Sequence, residues 1–186
     1  MIESQLAQLK ERAPSANLLA VELGAGLVDG YNTYDSPLGP VMVAFNPAGV
    51  SMVDLEDEAE DRFHELFGRR LVRAKPPEGW DRLIGAAIEA GTPGSLPLDL
   101  RVHSEFRRTV LMAAGTIPRG EVRSYGWLAQ QAGHPRAFRA VGSTMAANTV
   151  PLIIPCHRVV RSDGSIGQYS MGGPENKVRL LELEAH

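Results

Sequence analysis

The 186-residue chain contains a single cysteine, Cys156. One cysteine excludes a disulfide within the chain. It also argues against a structural zinc site built on thiolates, which takes at least two. No run of apolar residues approaches the roughly 20 that a membrane-spanning helix requires. The start, Met1-Ile2-Glu3-Ser4-Gln5-Leu6, lacks the basic-then-apolar order of a secretion signal. No metal cluster, cofactor motif, internal repeat or low-complexity tract is visible. A free thiol fits a reducing compartment, so the expected location is the cytoplasm or the nucleoid.

What is present is an ordinary packed composition, 44% apolar and 22% charged. The net charge of −3 conceals an asymmetry. Residues 101–186 hold Lys177 and ten arginines against six acidic residues, a net of +5, while residues 1–100 carry −8. An acidic half joined to an arginine-rich half implies two domains, the second facing a polyanion. Arginine rather than lysine favours phosphate or base contact, because the guanidinium fork matches those groups.

Residues 3–12 have the composition of a short helix that Pro14 stops. The Pro- and Gly-rich turn 34–40 precedes an apolar strand at 41–45, and alternation predicts a second strand at 50–55. Helical spacing of Phe63, Leu66 and Phe67 predicts a helix over 58–70, and another fits 80–90. The break at 91–95 marks a domain boundary, giving an α/β domain 1–95 and a domain 96–186, with 96–102 extended. Ser104 is a candidate N-cap for a helix ending near Gly115. Ser124 caps the next, which closes at Gly133. A third, over 136–147, is rich in small residues, Ala137, Ala140 and Gly142 among them. Two helices joined by a glycine-containing turn form a helix-turn-helix candidate, whose second helix lies in a DNA groove. Arg136 and Arg139 would then point outward. A tight helix–helix contact is the plainer reading of the small residues.

Cys156 sits in Pro155-Cys156-His157-Arg158-Val159. A free thiol has a pKa of about 8.5, and adjacent His or Arg lowers it by one to several units. A lone cysteine is in general a small buried hydrophobe. A structural cysteine, however, gains nothing from a neighbouring base, a cation and a rigid proline. Pro155 favours an extended approach to the thiol, and the apolar run 150–154 places it at the end of a buried segment. The expectation is a nucleophilic thiolate.

In company, these residues resemble a known family. Gly120-Glu121-Val122-Arg123-Ser124-Tyr125, then Arg139-Ala140-Val141-Gly142, Asn148, Pro155-Cys156-His157-Arg158-Val159, Tyr169-Ser170, Lys177 and Leu180-Leu181-Glu182-Leu183-Glu184 are similar in order and spacing to the O6-alkylguanine-DNA alkyltransferases. The Ser36-Pro37-Leu38-Gly39 turn between strands is also typical of them. The resemblance implies an α+β chain, with a small ribonuclease-H-like sheet domain ahead of a mainly helical one. It implies a monomer that uses no cofactor or metal and binds double-stranded DNA through the minor groove at an alkylated guanine. Cys156 would accept the alkyl group, His157 would take its proton and Glu184 would orient the imidazole. Asn148 would brace the segment before the thiol, and Tyr125 would protonate the departing guanine. Arg139 would fill the gap left by the flipped base, with Arg136, Ala137, Ala140 and Ser124 at the DNA. Val159, Tyr169, Ser170 and Met145 would form the base pocket.

Three positions depart from the family pattern. Asn148 is followed by Thr149 where proline is usual, which implies a looser hinge. Phe138 precedes Arg139 where a small residue is common. The turn 169–173 is one residue longer than in some members. Each site residue also has a plain structural reading alone, and a non-catalytic damage sensor or a thiol hydrolase are the rival readings of the whole.

Overall fold

The computed structural model describes residues 15–185. The helix expected at 3–12 lies outside the described residues. Helix α1 (Ser15–Gly24) leads into a sheet of β1 (Val28–Tyr34), β2 (Val41–Asn46), β3 (Gly49–Leu55) and β4 (Arg70–Arg73), ordered β3-β2-β1-β4. The first three strands are antiparallel neighbours; β4 runs parallel to β1 and is reached through α2 (Glu56–Phe67). Helix α3 (Trp80–Ala90) follows. The second half comprises α4 (Glu105–Ala114), β5 (Arg123–Ser124), α5 (Tyr125–Gln131), α6 (Phe138–Ala146), a 3-10 turn Cys156–Arg158, β6 (Val159–Val160) and α7 (Gly173–Glu184). The architecture is the mixed α+β class expected.

Strand β2 is buried along its whole length. Alternate side chains of a strand leave on opposite faces. Val41, Val43 and Phe45 enter the main core, while Met42 and Ala44 pack with Met52 beneath Ala59 and Phe63 of α2. Both faces are covered, so the segment reads as a continuous apolar run. Strand β1 was not anticipated. Its sequence, Val-Asp-Gly-Tyr-Asn-Thr-Tyr, carries residues that are poor in strands, but pairing with β2 on one side and β4 on the other decides its conformation. Gly30 is needed there. It faces Phe45 in register, and a Cβ would sit 2.6 Å from the Phe45 ring.

Helix α2 begins two residues before the predicted start and ends three before the predicted stop. Gly68 adopts a left-handed φ of 60° and its N–H bonds to the His64 carbonyl, which terminates the helix and frees Arg70 for β4. The linker 96–102 makes one parallel bridge, Val50 to Leu98, rather than a strand. A polar lock fastens it. The Asn46 side-chain amide donates to Asp29 Oδ2 at 3.0 Å and to Asp99 Oδ2 at 2.8 Å, all three residues being buried. Arg69 and Arg101 balance the two carboxylates. The main core then runs without a break from the sheet into Leu111, Leu128, Val141, Ile153 and Leu180.

Both predicted caps are in place: Ser104 Oγ accepts from Arg107 N at 3.4 Å and Ser124 Oγ from Trp127 N at 3.1 Å. The helix expected over 136–147 is shorter, Phe138–Ala146. Arg136 and Ala137 belong to the preceding turn, closed by Ala137 N donating to His134 O at 2.8 Å. Pro135 takes the second position of that turn, which its fixed φ suits, and the helix begins only after the turn closes.

Candidate active site

Cys156 opens the 3-10 turn and is 2% exposed. The run from Val150 to Ile154 is buried, as expected, but it is not extended. It is a series of turns with Leu152 at a left-handed φ of 69°. Asn148 organises it. Its Oδ1 accepts from Val150 N at 3.1 Å, and its Nδ2 donates to Ile154 O at 3.0 Å and to Cys156 Sγ at 3.2 Å. Thr149, where the family pattern implied a looser hinge, is tied to two other segments. The Thr149 carbonyl accepts from Val53 N at 2.8 Å, and its hydroxyl meets His103 Nε2 at 3.2 Å.

The two charged neighbours of the thiol turn elsewhere. His157 Nε2 lies 3.0 Å from Glu184 Oε1. Arg158 has no exposed surface. It gives Nε to Glu184 Oε2 at 2.8 Å and Nη2 to Oε1 at 2.7 Å. Its remaining donors go to the carbonyls of Gly91 and Ile117, at 2.7 Å each, and of Ala90 at 3.0 Å. The expected depression of the thiol pKa is therefore corrected. Burial pushes the Cys156 thiol up, opposed by the Asn148 hydrogen bond and the charge of Lys177. The resting group is a thiol, and ionising it takes a base.

A base is present. Burial favours the neutral form of Glu184, but the hydrogen bonds and charges of His157 and Arg158 outweigh it and hold the pKa at about 2. An ionised carboxylate only accepts, so the neutral imidazole donates through Nε2 and keeps its lone pair on Nδ1. Burial lowers the His157 pKa against the pull of Glu184, which keeps the ring neutral. His157 Nδ1 is buried with no hydrogen-bond partner among the described residues.

Strands β5 and β6 pair in parallel, Arg123 with Val159 and Ser124 with Val160, which brings the first residue of α5, Tyr125, to the thiol segment. Burial, then the charge of Cys156, raises the Tyr125 pKa. Tyr169 is buried with its ring 6.3 Å from that of His157. Met145 is in the main core, and Met171, in the longer turn, is fully buried there. Besides His157 Nδ1, the buried side-chain atoms without hydrogen bonds among the described residues are Tyr169 Oη, Ser170 Oγ, Asp29 Oδ1 and Arg69 Nε. The last two face each other as an ion pair at 3.1 Å. What remains is three polar atoms from residues that the sequence assigned to one site. Such atoms are rare in folded proteins and need a reason.

Arg136, Arg139 and Ala140 are exposed and Ala137 partly so, in the first turn of α6 and the turn that precedes it. Ser124 Oγ is committed to its cap. A cleft of about 540 Å³ opens between Tyr125, Gly126, Phe138, Gly142 and Arg161. Lys177 had no assigned role. It is buried, donates to Val159 O at 2.6 Å and lies 6.0 Å from the centre of the Tyr125 ring. Its sequence signals are its place in the family pattern and its being the sole lysine of the arginine-rich half.

Residues 105–186 match the model of the 6-O-methylguanine DNA methyltransferase DNA-binding domain. The Mycobacterium leprae methylated-DNA–protein-cysteine methyltransferase is 36% identical over 157 residues, covering 82% of this chain and 90% of that protein. This chain belongs to the methylated-DNA–protein-cysteine methyltransferase family. The bifunctional transcriptional activator/DNA repair enzyme Ada of Escherichia coli is 37% identical over 87% of this chain, which spans about half of Ada, 47% of its length. Among solved methyltransferases, Mycobacterium tuberculosis OGT in complex with DNA superposes with a TM-score of 0.66 at 37% identity, covering 84% of this chain and 92% of that one. The Pyrococcus kodakaraensis enzyme gives a TM-score of 0.65 at 27% identity, covering 86% of this chain and all of the other. Among the described residues no helix is long and apolar enough to cross a membrane, and no cluster of His, Cys, Asp and Glu could hold a metal.

Two ion pairs fix an acid limit. Glu184 falls from 4.5 to about 2, and Asp99 from 3.8 to about 2 through its hydrogen bonds to Arg101 against the opposing effect of burial. A carboxyl with a depressed folded pKa stabilises the fold above its unfolded pKa and loses that contribution as pH falls through the folded value. Stability measured by urea midpoints is expected to hold above pH ~5 and to fall by at most roughly 2–3 kcal/mol per group by pH ~2, less for Asp99 because solvent around the exposed Arg101 screens that pair. A flat profile across that range would contradict both ion pairs.

Proposed function

We propose that this protein repairs alkylated duplex DNA by moving the O6-alkyl group of a guanine onto Cys156, once per molecule. The observation that carries the reading is the sulfur held by Asn148 Nδ2 at 3.2 Å, in the residue next to an imidazole whose Nδ1 is free. His157 Nδ1 takes the thiol proton through a water, and Glu184 stabilises the imidazolium that results. The thiolate attacks the alkyl carbon; the C–S bond forms as the C–O bond breaks. The electron pair stays with the guanine, which takes a proton from Tyr125. The product thioether is stable, so the protein is consumed.

A base inside a duplex cannot present its O6 substituent to a buried sulfur, so the nucleotide is extruded, at less cost for a weakened pair. Tyr169 Oη and Ser170 Oγ supply polar atoms to hold it, with Val159 and Met145 walling the pocket. Arg139 occupies the vacated stack from the minor groove, and Arg136, Ala137, Ala140 and Ser124 lie along the duplex. Residues 1–95 act as the scaffold for 96–186, and the protein works as a monomer without a cofactor, in the cytoplasm or on the nucleoid. Intact-mass analysis after incubation with O6-methylguanine duplex tests the reading. One added methyl group, mapped to Cys156, is expected; binding with no mass gain would favour a non-catalytic sensor instead.

A further inference from the structure

Phe138 is the first residue of α6 and 52% of its surface is exposed. Solitary exposed apolar residues are ordinary on protein surfaces, but this one is not solitary in its surroundings. It lines the same cleft as Tyr125, the residue whose acidity responds to the charge on Cys156. One helical turn on, Gly142 borders the cleft too, and a Cβ there would meet nothing within 4 Å, so the groove beside the ring is open. The Arg139 guanidinium lies 6.0 Å from the centre of the Phe138 ring. Arg161 and Asp163, both exposed, line the cleft with Phe138, so the ring borders polar groups on that side.

We propose that Phe138 is a second wedge, which stacks on the base step beside the extruded nucleotide when Arg139 enters the gap. The inference rests on the duplex-repair reading above and adds a residue to it. In the free protein the ring carries the Arg139 side chain. When that guanidinium leaves for the base stack, the exposed ring face is offered to the neighbouring base, and apolar wedges of this kind open base steps from the minor-groove side. Every base has a π-face, so the contact helps extrusion without selecting a sequence. Phe138 touches no reacting atom; it is a positioning residue for the flipped state.

Phe138→Ala and Phe138→Leu are compared with the native protein on three oligonucleotides carrying O6-methylguanine: a paired duplex, a duplex with the lesion in an unpaired bubble, and a single strand. With Phe138→Ala, single-turnover transfer on the paired duplex is expected to slow about tenfold, with transfer on the bubble and the single strand within twofold of native. Phe138→Leu, which keeps an apolar wedge, should recover part of the loss. A 2-aminopurine placed next to the lesion should brighten less on binding the alanine variant. Unchanged transfer on the paired duplex would overturn the proposal. An equal loss on all three substrates would also overturn it, by showing a general effect on the site. Failure of the native protein on every substrate would instead overturn the repair reading.

Discussion

Cys156→Ala is expected to lower alkyl transfer below detection while leaving binding to alkylated duplex within a fewfold of native. The sulfur is the atom that forms the new bond, and nothing around it can replace it as acceptor. Binding is spared because the thiol is buried, whereas the arginines in and just before the first turn of α6 are exposed. The fold should also survive. Asn148 Nδ2 loses one acceptor but keeps Ile154 O at 3.0 Å, and its Oδ1 keeps Val150 N. Removing a small side chain from a core costs about 1 kcal/mol at this size. Quantitative transfer assays with labelled duplex, paired with equilibrium binding, check both halves. Cells protected equally by the variant and the native protein would show that the chain acts by sensing damage rather than by removing it.

Arg158→Met is expected to destabilise the fold by about 3–5 kcal/mol, against a typical total of roughly 5–15. The variant keeps the volume but strands the Glu184 carboxylate and the carbonyls of Ala90, Gly91 and Ile117. Breaking one side of a buried pair leaves an uncompensated charge, which costs more than the pair itself contributes. The double variant Arg158→Met/Glu184→Leu removes both charges and should regain part of the loss. It would still lack the group that orients His157, so recovery of stability without recovery of transfer would separate the two roles of Glu184. Urea midpoints and single-turnover rates read the two effects. A Gly91→Ala change probes the same bolt, because a Cβ there would lie 2.1 Å from Arg158 Nη2 at a φ of +61°. A loss under 1 kcal/mol for Arg158→Met would remove the case for the bolt.

The parts of the fold that were legible in the sequence are those with local causes. Ser104 and Ser124 bond to amides three residues on, so these cap signals belong to short windows; the stop at Gly68 is equally local, yet the helix was expected to run past it to residue 70. Helix α3 was found at its full length, 80–90, for the same reason. Strands β1 and β4 were not legible. Asp29, Gly30 and Asn32 disfavour a strand, and only pairing to partners far along the chain makes one. The polar lock at Asn46 left no trace either, since Asp29, Asn46 and Asp99 read separately as surface residues.

The sequence by itself singled out Cys156 as the proposed acceptor, because a lone cysteine in that pentapeptide, in order with Asn148, Tyr169 and Glu184, has few alternatives. Only the tertiary structure decided which of them face one another. Cys156, His157 and Arg158 lie on a 3-10 turn of about three residues per turn, so consecutive side chains leave at angles of roughly 120°. Adjacency along the chain therefore separates the thiol from the cation that seemed to serve it. Arg158 goes to Glu184, 26 residues away, and the cation that acts on the sulfur is Lys177, brought in by α7. The pKa of the thiol follows from burial and from those long-range partners, and neither is a property of neighbouring letters.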